Sequence, residues 1–339
     1  MSVLDARLRI LSTGGGSTLQ DAGRHGYMRY GITPAGPMDP LAHATANRAL
    51  GIARNATAIE ISIGGVSLTA ENAPLDVAVA GGAFRIDLDG RPLPTAVALT
   101  LRPGAVLTIK AGRSGAWCYL AVAGRVDVAD TLGSTATHTR SGFGGLEGRA
   151  LRSGDAVPVA QSRSQIGEPA TFDAPWLDRP ADTIRVVLGP QEDFFTPAEI
   201  EAFLANPWTA TARGDRMACF LAGTKLSHAG DYNIVSDGIA MGAIQVPGDG
   251  LPIVLMADRQ PTGGYPKIGT VIGADLGRLA QAQAGSVVRF ASVSVDQAVA
   301  ARRAEHDALS VPVVLAPVIR TNFSSEYLLG LNLIDGVVG

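Results

Sequence analysis

Between Asp258 and Lys267 the chain carries a carboxylate (Asp258), a carboxamide (Gln260), a hydroxyl (Thr262), a glycine pair (Gly263 and Gly264), a phenol (Tyr265) and an ammonium (Lys267). Carboxamides and hydroxyls can donate to an amide carbonyl or accept from its N–H, and an ammonium holds an oxyanion as a point charge. A positioned carboxylate or lysine can also move a proton. Pro261 and Pro266 stiffen the stretch, while Gly263-Gly264 opens backbone shapes that other residues avoid. A hairpin connection needs only about two to five residues, so this segment is longer than a turn requires. The same groups would also serve as the solvated surface of a loop, and this stretch alone does not choose between the two.

A second polar loop precedes the apolar run at 243–246 and carries Asn233, Ser236 and Asp237. It is expected to face the same cleft as Gln260 and Lys267. The candidate site is therefore Lys267, Asp258 and Asp237 for charge and proton transfer. Asn233, Ser236, Gln260, Thr262, Gly263, Gly264 and Tyr265 would contact the substrate.

Other chemistries find little support. The five histidines include no H-x-x-x-H pair and no cysteine cluster, so a zinc site is not expected. There is no G-x-S-x-G elbow, no phosphate loop of the form GxxxxGK[ST], and no G-x-G-x-x-G opening a βαβ unit. His43 and Asn47, four apart on a helix, read as satisfied structural residues. Asp21 and Arg24 would pair and pin their own Gly-punctuated loop. The hydroxyl-rich loop from Gly133 is suited to hydrogen-bonding an anion or an amide.

The elements that must position these residues are mostly strands. Apolar residues make up 46% of the 339 and charged residues only 17%, which allows a large core. The 41 glycines and 20 prolines imply many turns between short elements. Strands are predicted at 8–11, 59–63, 66–70, 75–80, 84–88, 106–110, 117–122, 184–188, 217–221, 251–256, 268–272 and 287–292. Asp39 followed by Pro40 starts a helix to Leu50, Thr196 with Glu199 starts another, and 296–309 forms a third. The polar, proline-bearing segment 157–182 suggests two lobes, 1–165 and 166–339. A weak repeat, Ala58-Ile59-Glu60-Ile61 against Ala243-Ile244-Gln245-Val246, fits two related β lobes.

A net charge of −3 shows no nucleic-acid footprint. No run of about 18 apolar residues predicts a membrane span, and the N-terminus lacks a signal-peptide layout. Cys118 and Cys219 sit in apolar runs and read as buried thiols in a reducing compartment, so the cytoplasm is expected.

Several motifs resemble the allophanate hydrolase subunit 2 family, the KipA-like, biotin-dependent carboxyltransferase-like group that includes 5-oxoprolinase subunits. They are 18–26 from Thr18 to Gly26, then Gly36-Pro37-Met38-Asp39 with Ala46-Asn47, Gly133-Ser134-Thr135, Phe143-Gly144-Gly145, Gly148-Arg149-Ala150-Leu151, and 258–269 from Asp258 to Gly269. The likeness covers about residues 8–295. It implies a mainly β fold of two cyclophilin-like barrel lobes with a few short helices. It also implies a KipI-like sister subunit and, with a LamB-like subunit, ATP-driven hydrolysis of 5-oxoproline to glutamate. The alternative it implies is half of a carboxyltransferase centre that moves CO2 from carboxybiotin to urea or a related amide. A third is a non-catalytic regulatory binding protein. No cofactor is expected on this chain alone; ATP would be consumed by the complex, and biotin would matter only under the alternative. The Gln260–Lys267 version of the motif looks like the free-standing oxoprolinase subunits, and the chain lacks a biotin-carrier Met-Lys-Met segment.

Overall fold

A computed structural model describes residues 5–230 and 233–319. The chain is mainly β, as expected, with four α-helices among the described residues.

The first lobe is two seven-stranded sheets around one core. Ala6–Thr13 lies inside one sheet between Ala156–Ala160 and Val66–Glu71. Leu75–Gly81 lies inside the other between Trp117–Val122 and Val97–Leu101. Side-chain alternation explains why Leu75–Gly81 is apolar at every position but Asp76. Leu75, Val77 and Val79 face Leu8, Ile10 and Leu68 in the inter-sheet core. Ala78 and Ala80 face outward under the helix Pro40–Ala49, meeting Ala42, Ala46 and Ala49. Both faces are buried, so no polar alternation survives. Small residues on the outer face let the helix approach closely. Asp39 caps that helix by accepting the Ala42 N–H at 3.2 Å, and Pro40 follows at the first helical position.

The second lobe is a closed barrel of Thr183–Leu188, Lys267–Val271, Ala243–Gln245, Ile253–Leu255, Ala218–Ala222, Trp208–Ala210 and Val287–Ser292. The first and last strands in sequence close it as a parallel pair. Ile184, Val186, Ile244, Val254, Ile268 and Phe290 fill it, with Phe203 of the helix Pro197–Ala205 stacked on Phe290 at 4.7 Å. Thus one lobe closes into a barrel, while the other, expected to be a barrel as well, is a two-sheet sandwich by its hydrogen bonding.

The expected division between 165 and 166 does not follow the strand pairing. Ala170–Phe172 pairs with Val97–Leu101, and Leu315–Pro317 adds to it, so both extend a sheet of the first lobe. Asp76 holds the linker down, accepting the Gln165 N–H at 2.6 Å. The barrel begins only at Thr183.

A buried ion cluster joins the lobes. Arg216 of the barrel binds both oxygens of Asp258 at 2.9 and 2.8 Å, donates to the Gly36 carbonyl at 2.8 Å, and contacts the Glu60 carboxylate. Glu60 also accepts from the Met38 N–H and the Tyr119 hydroxyl, each at 2.8 Å. Burial pushes the Glu60 carboxyl up from its usual range, against the opposing pull of Arg216.

Candidate functional site

Lys267 opens a barrel strand and sits opposite Gln245 in the ladder. Its backbone is fixed from the other side by the segment that follows Thr183–Leu188. The Lys267 N–H donates to Gln191 Oε1 at 3.2 Å, and the Gln191 N–H donates to the Lys267 carbonyl at 3.1 Å. The stem is packed into the lobe, leaving the side chain 3% exposed. Its ammonium meets Asp237 Oδ2 at 3.2 Å, and Gln191 Nε2 donates to the same oxygen at 3.3 Å. Asp237 is 52% exposed. The Lys267 hydrogen bond, helped by the Gly238 N–H, holds its carboxyl below the usual carboxylate range.

A two-residue ribbon brings Asp237 to this place. Asp237 pairs with Gly263 and Gly238 with Thr262, and the Ile239 N–H donates to the Pro261 carbonyl at 2.9 Å. Arg259, buried and without a carboxylate partner among the described residues, anchors the ribbon base through its 3.0 Å bond to the Ile239 carbonyl. Burial lowers that guanidinium to about 10. Gly263 allows close approach: a Cβ there would lie 3.0 Å from Ile239 and 3.3 Å from Gln260 Nε2. Tyr265, two residues before Lys267, holds φ at +101°, which side-chain-bearing residues rarely adopt, and its side chain is exposed. Gln245 steadies the loop by donating to the Gly264 carbonyl at 3.3 Å.

The structure thus brings Asp237, Gly263, Thr262 and Lys267 together, with Gln260 packed against Gly263. Asn233 and Ser236 lie exposed on the segment leading into the ribbon. Asp258 stands apart. It extends the strand Ile253–Leu255, whose Leu255 end adjoins Ala218, so it lies at the barrel end next to the first lobe. Lys267 lies at the other end, where Gln245 faces both Ile253 and Lys267. The strands Ile253–Leu255 and Lys267–Val271 do not form a hairpin; both flank Ala243–Gln245. The segment between them runs back along the barrel, and this separates its two charged ends. Asp258, expected to act beside Lys267, is instead bound on both oxygens by Arg216.

The reading of the sequence missed Gln191 and Gln245. Gln245 had a signal: it is a polar residue inside an apolar strand and is buried at 3%. The repeat aligns it with Glu60, which is also buried and also holds a partner segment in place. Gln191 had only its place after Gly189-Pro190 at a strand end.

The other polar loops serve structure. Asp21 does not pair with Arg24; it accepts from Ser134 Oγ at 2.6 Å and the Thr135 N–H at 2.9 Å. Arg24 donates to the carbonyls of Thr131 and Ala136 and lies over Phe143 at 4.6 Å. Together they fasten the 18–26 loop to the loop after Gly133, in which Ser134, Thr135 and Thr137 are buried. Two inter-lobe clefts, of about 1000 and 850 Å³, do not include Lys267 or Asp237 in their walls. Among the described residues, no group of three His, Cys, Asp or Glu side chains is placed to hold a metal ion, and no helix is long and apolar enough to cross a membrane.

The fold defines a two-lobed, mainly β domain. The chain belongs to the family described as the carboxyltransferase domain, subdomain A and B, which it matches over residues 30–292. It is 37% identical over 297 residues to the C subunit of 5-oxoprolinase from Escherichia coli, covering 87% of this chain and 94% of that one. The corresponding 5-oxoprolinase C subunit of Haemophilus influenzae is 37% identical over 306 residues, covering 89% and 94%. In structure it resembles the Kluyveromyces lactis urea amidolyase, with a TM-score of 0.83 at 26% identity over 91% of this chain. That likeness spans only 20% of the urea amidolyase chain.

Proposed function

We propose that this chain is a subunit of an ATP-dependent amide-ring hydrolase that opens 5-oxoproline to glutamate together with a KipI-like and a LamB-like subunit. One observation carries the reading. The similarity to the 5-oxoprolinase C subunits runs through nearly the whole of both chains, whereas the urea amidolyases are matched over a small part of their length. In this reading Lys267 is the cation for the substrate's carboxylate or developing oxyanion. Gln260, Thr262, Tyr265, Asn233 and Ser236, with the backbone at Gly263 and Gly264, contact the lactam amide. Gln191 fixes the Lys267 backbone, Asp237 is the counter-charge of its ammonium, and Asp258 serves the lobe junction through Arg216.

ATP is assigned to the assembly rather than to this chain. The sequence has no phosphate loop, and three helix N-termini, natural anion seats, are occupied by the chain's own side chains. Asp39 caps one, Thr196 the second and Ser294 the third. Both cysteines are free, in keeping with a cytoplasmic protein. The second reading, half of a biotin-dependent carboxyltransferase centre for urea or a related amide, is favoured by the fold likeness to urea amidolyase.

The test is 5-oxoproline-dependent ATP hydrolysis and glutamate release by the purified chain, alone and with both proposed partner subunits. Turnover is expected only in the complete assembly, with urea inert. Full turnover by the isolated chain, or urea carboxylation with a biotin carrier, would overturn the proposal.

A further inference from the structure

The two partners of the Lys267–Asp237 pair are held very differently. Lys267 is built into the barrel: its stem is buried, and its backbone is bonded by Gln191 and paired with Gln245. Asp237 comes from outside, on a ribbon of two residue pairs, and half of its side chain is in solvent. Beyond it, Gly238 borders open space: a Cβ built there meets nothing within 4 Å. An ammonium in such a packed position is costly without a counter-charge. Asp237 supplies that charge, and it can leave for water at small loss only if another anion takes its place.

We propose that Asp237 is an internal stand-in for a ligand carboxylate, displaced from Lys267 when a small cyclic amide acid binds, and that this exchange selects carboxylate-bearing amides over neutral ones. The proposal rests on the reading of Lys267 as part of the substrate site. The seat already has two donors aimed at one oxygen, Lys267 Nζ at 3.2 Å and Gln191 Nε2 at 3.3 Å. An incoming carboxylate inherits both, so Lys267 is never left unpaired. A neutral amide cannot make the exchange: it would have to leave the ammonium uncompensated or bind with Asp237 still seated. The cost of unseating Asp237 lowers the apparent affinity for the acid by the fraction of the open state.

The experiment titrates the full chain with 5-oxoproline and with 2-pyrrolidinone, the same ring without the carboxylate. Affinity is read by calorimetry, and the Gly238 and Gly263 amides are followed by NMR. In the wild type, 5-oxoproline should shift both amides as the ribbon releases. Asp237→Asn should tighten 5-oxoproline by about 10-fold and leave 2-pyrrolidinone unchanged. Tighter binding with no shift of the two amides in the wild type would mean simple charge repulsion and overturn the exchange. Unchanged or weaker binding by Asp237→Asn would make Asp237 a positioning residue for Lys267 and also overturn it. So would the absence of saturable 5-oxoproline binding by both proteins. Lys267→Met, made in the Asp237→Asn background, separates the two levels: if it keeps the tight binding, the underlying assignment of Lys267 to the site fails.

Discussion

Arg216 reaches from the barrel to the Glu60 carboxylate of the first lobe, 156 residues away in sequence, while holding Asp258 on its other side. One guanidinium therefore faces two buried acids and crosses the boundary between lobes. Arg216→Met leaves both carboxylates buried without their cation, and Glu60 keeps only the Met38 N–H and the Tyr119 hydroxyl. The expected loss is about 3–5 kcal/mol of stability, the cost of truncating one member of a buried ionic cluster. Thermal denaturation should show a fall of roughly 5–10 °C. A variant that melts with the wild type would show that water reaches the cluster and screens it.

Lys267→Met tests the ammonium directly. Its stem is packed in the barrel, and Met replaces that stem at similar volume, so the fold should survive. Its partner Asp237 is half in solvent and tolerates losing the pair. In the assembled complex, turnover at saturating 5-oxoproline should drop by roughly 10²-fold or more, the scale of one lost transition-state donor. Wild-type turnover with an unchanged melting temperature would remove Lys267 from the site.

His43 makes stability depend on pH. It is buried at 2% exposure, its Nε2 lies 3.2 Å from the Gln20 carbonyl, and its ring meets Tyr119 edge-on. Burial lowers its pKa to about 4 from an ordinary value of 6.5. The unfolded chain takes up a proton below about 6.5, while the folded chain does so only near 4. Stability is therefore present in full above 6.5 and is lost as pH falls between these values. Between about pH 7 and pH 5 this group should account for roughly 2 kcal/mol, measured by urea unfolding. His43→Gln should flatten that part of the profile; an unchanged slope would assign it to other groups.

The thiols should be inert in the native state. Burial pushes Cys118 up to about 12 and Cys219 up to about 11, and the thiolate is the reactive form. With an aromatic disulfide reagent at about pH 8, the folded protein should release almost no chromophore over minutes, and two equivalents should appear on denaturation. Rapid labelling of one thiol before unfolding would locate an opening at Cys219, which is only partly shielded.

Features that depend on a few neighbouring residues were legible in the sequence. The helix predicted from Asp39 and Pro40 runs from Pro40 to Ala49, and Thr196 caps the next through the Glu199 N–H. The strands predicted at 59–63, 66–70 and 117–122 are present within a residue or two. The strand Val97–Leu101 was missed, because a run buried on both faces in a proline-bearing stretch carries no periodicity of its own.

Residue types and spacing were enough to mark the loop from Asp258 to Lys267 and the loop holding Asp237 as chemically rich. Local propensity, caps and turn glycines act over three or four residues, so the chain determines them wherever they lie. Which charges meet was decided only by the tertiary structure. Asp258 and Lys267 are close in sequence but sit at opposite ends of the barrel, because the strands they adjoin flank a third strand instead of forming a hairpin. Lys267 and Asp237, 30 residues apart, meet because a two-residue ribbon folds one loop onto the other. Electrostatic pairing depends on distance through space and on the water excluded between the groups, and neither exists until the sheets have closed.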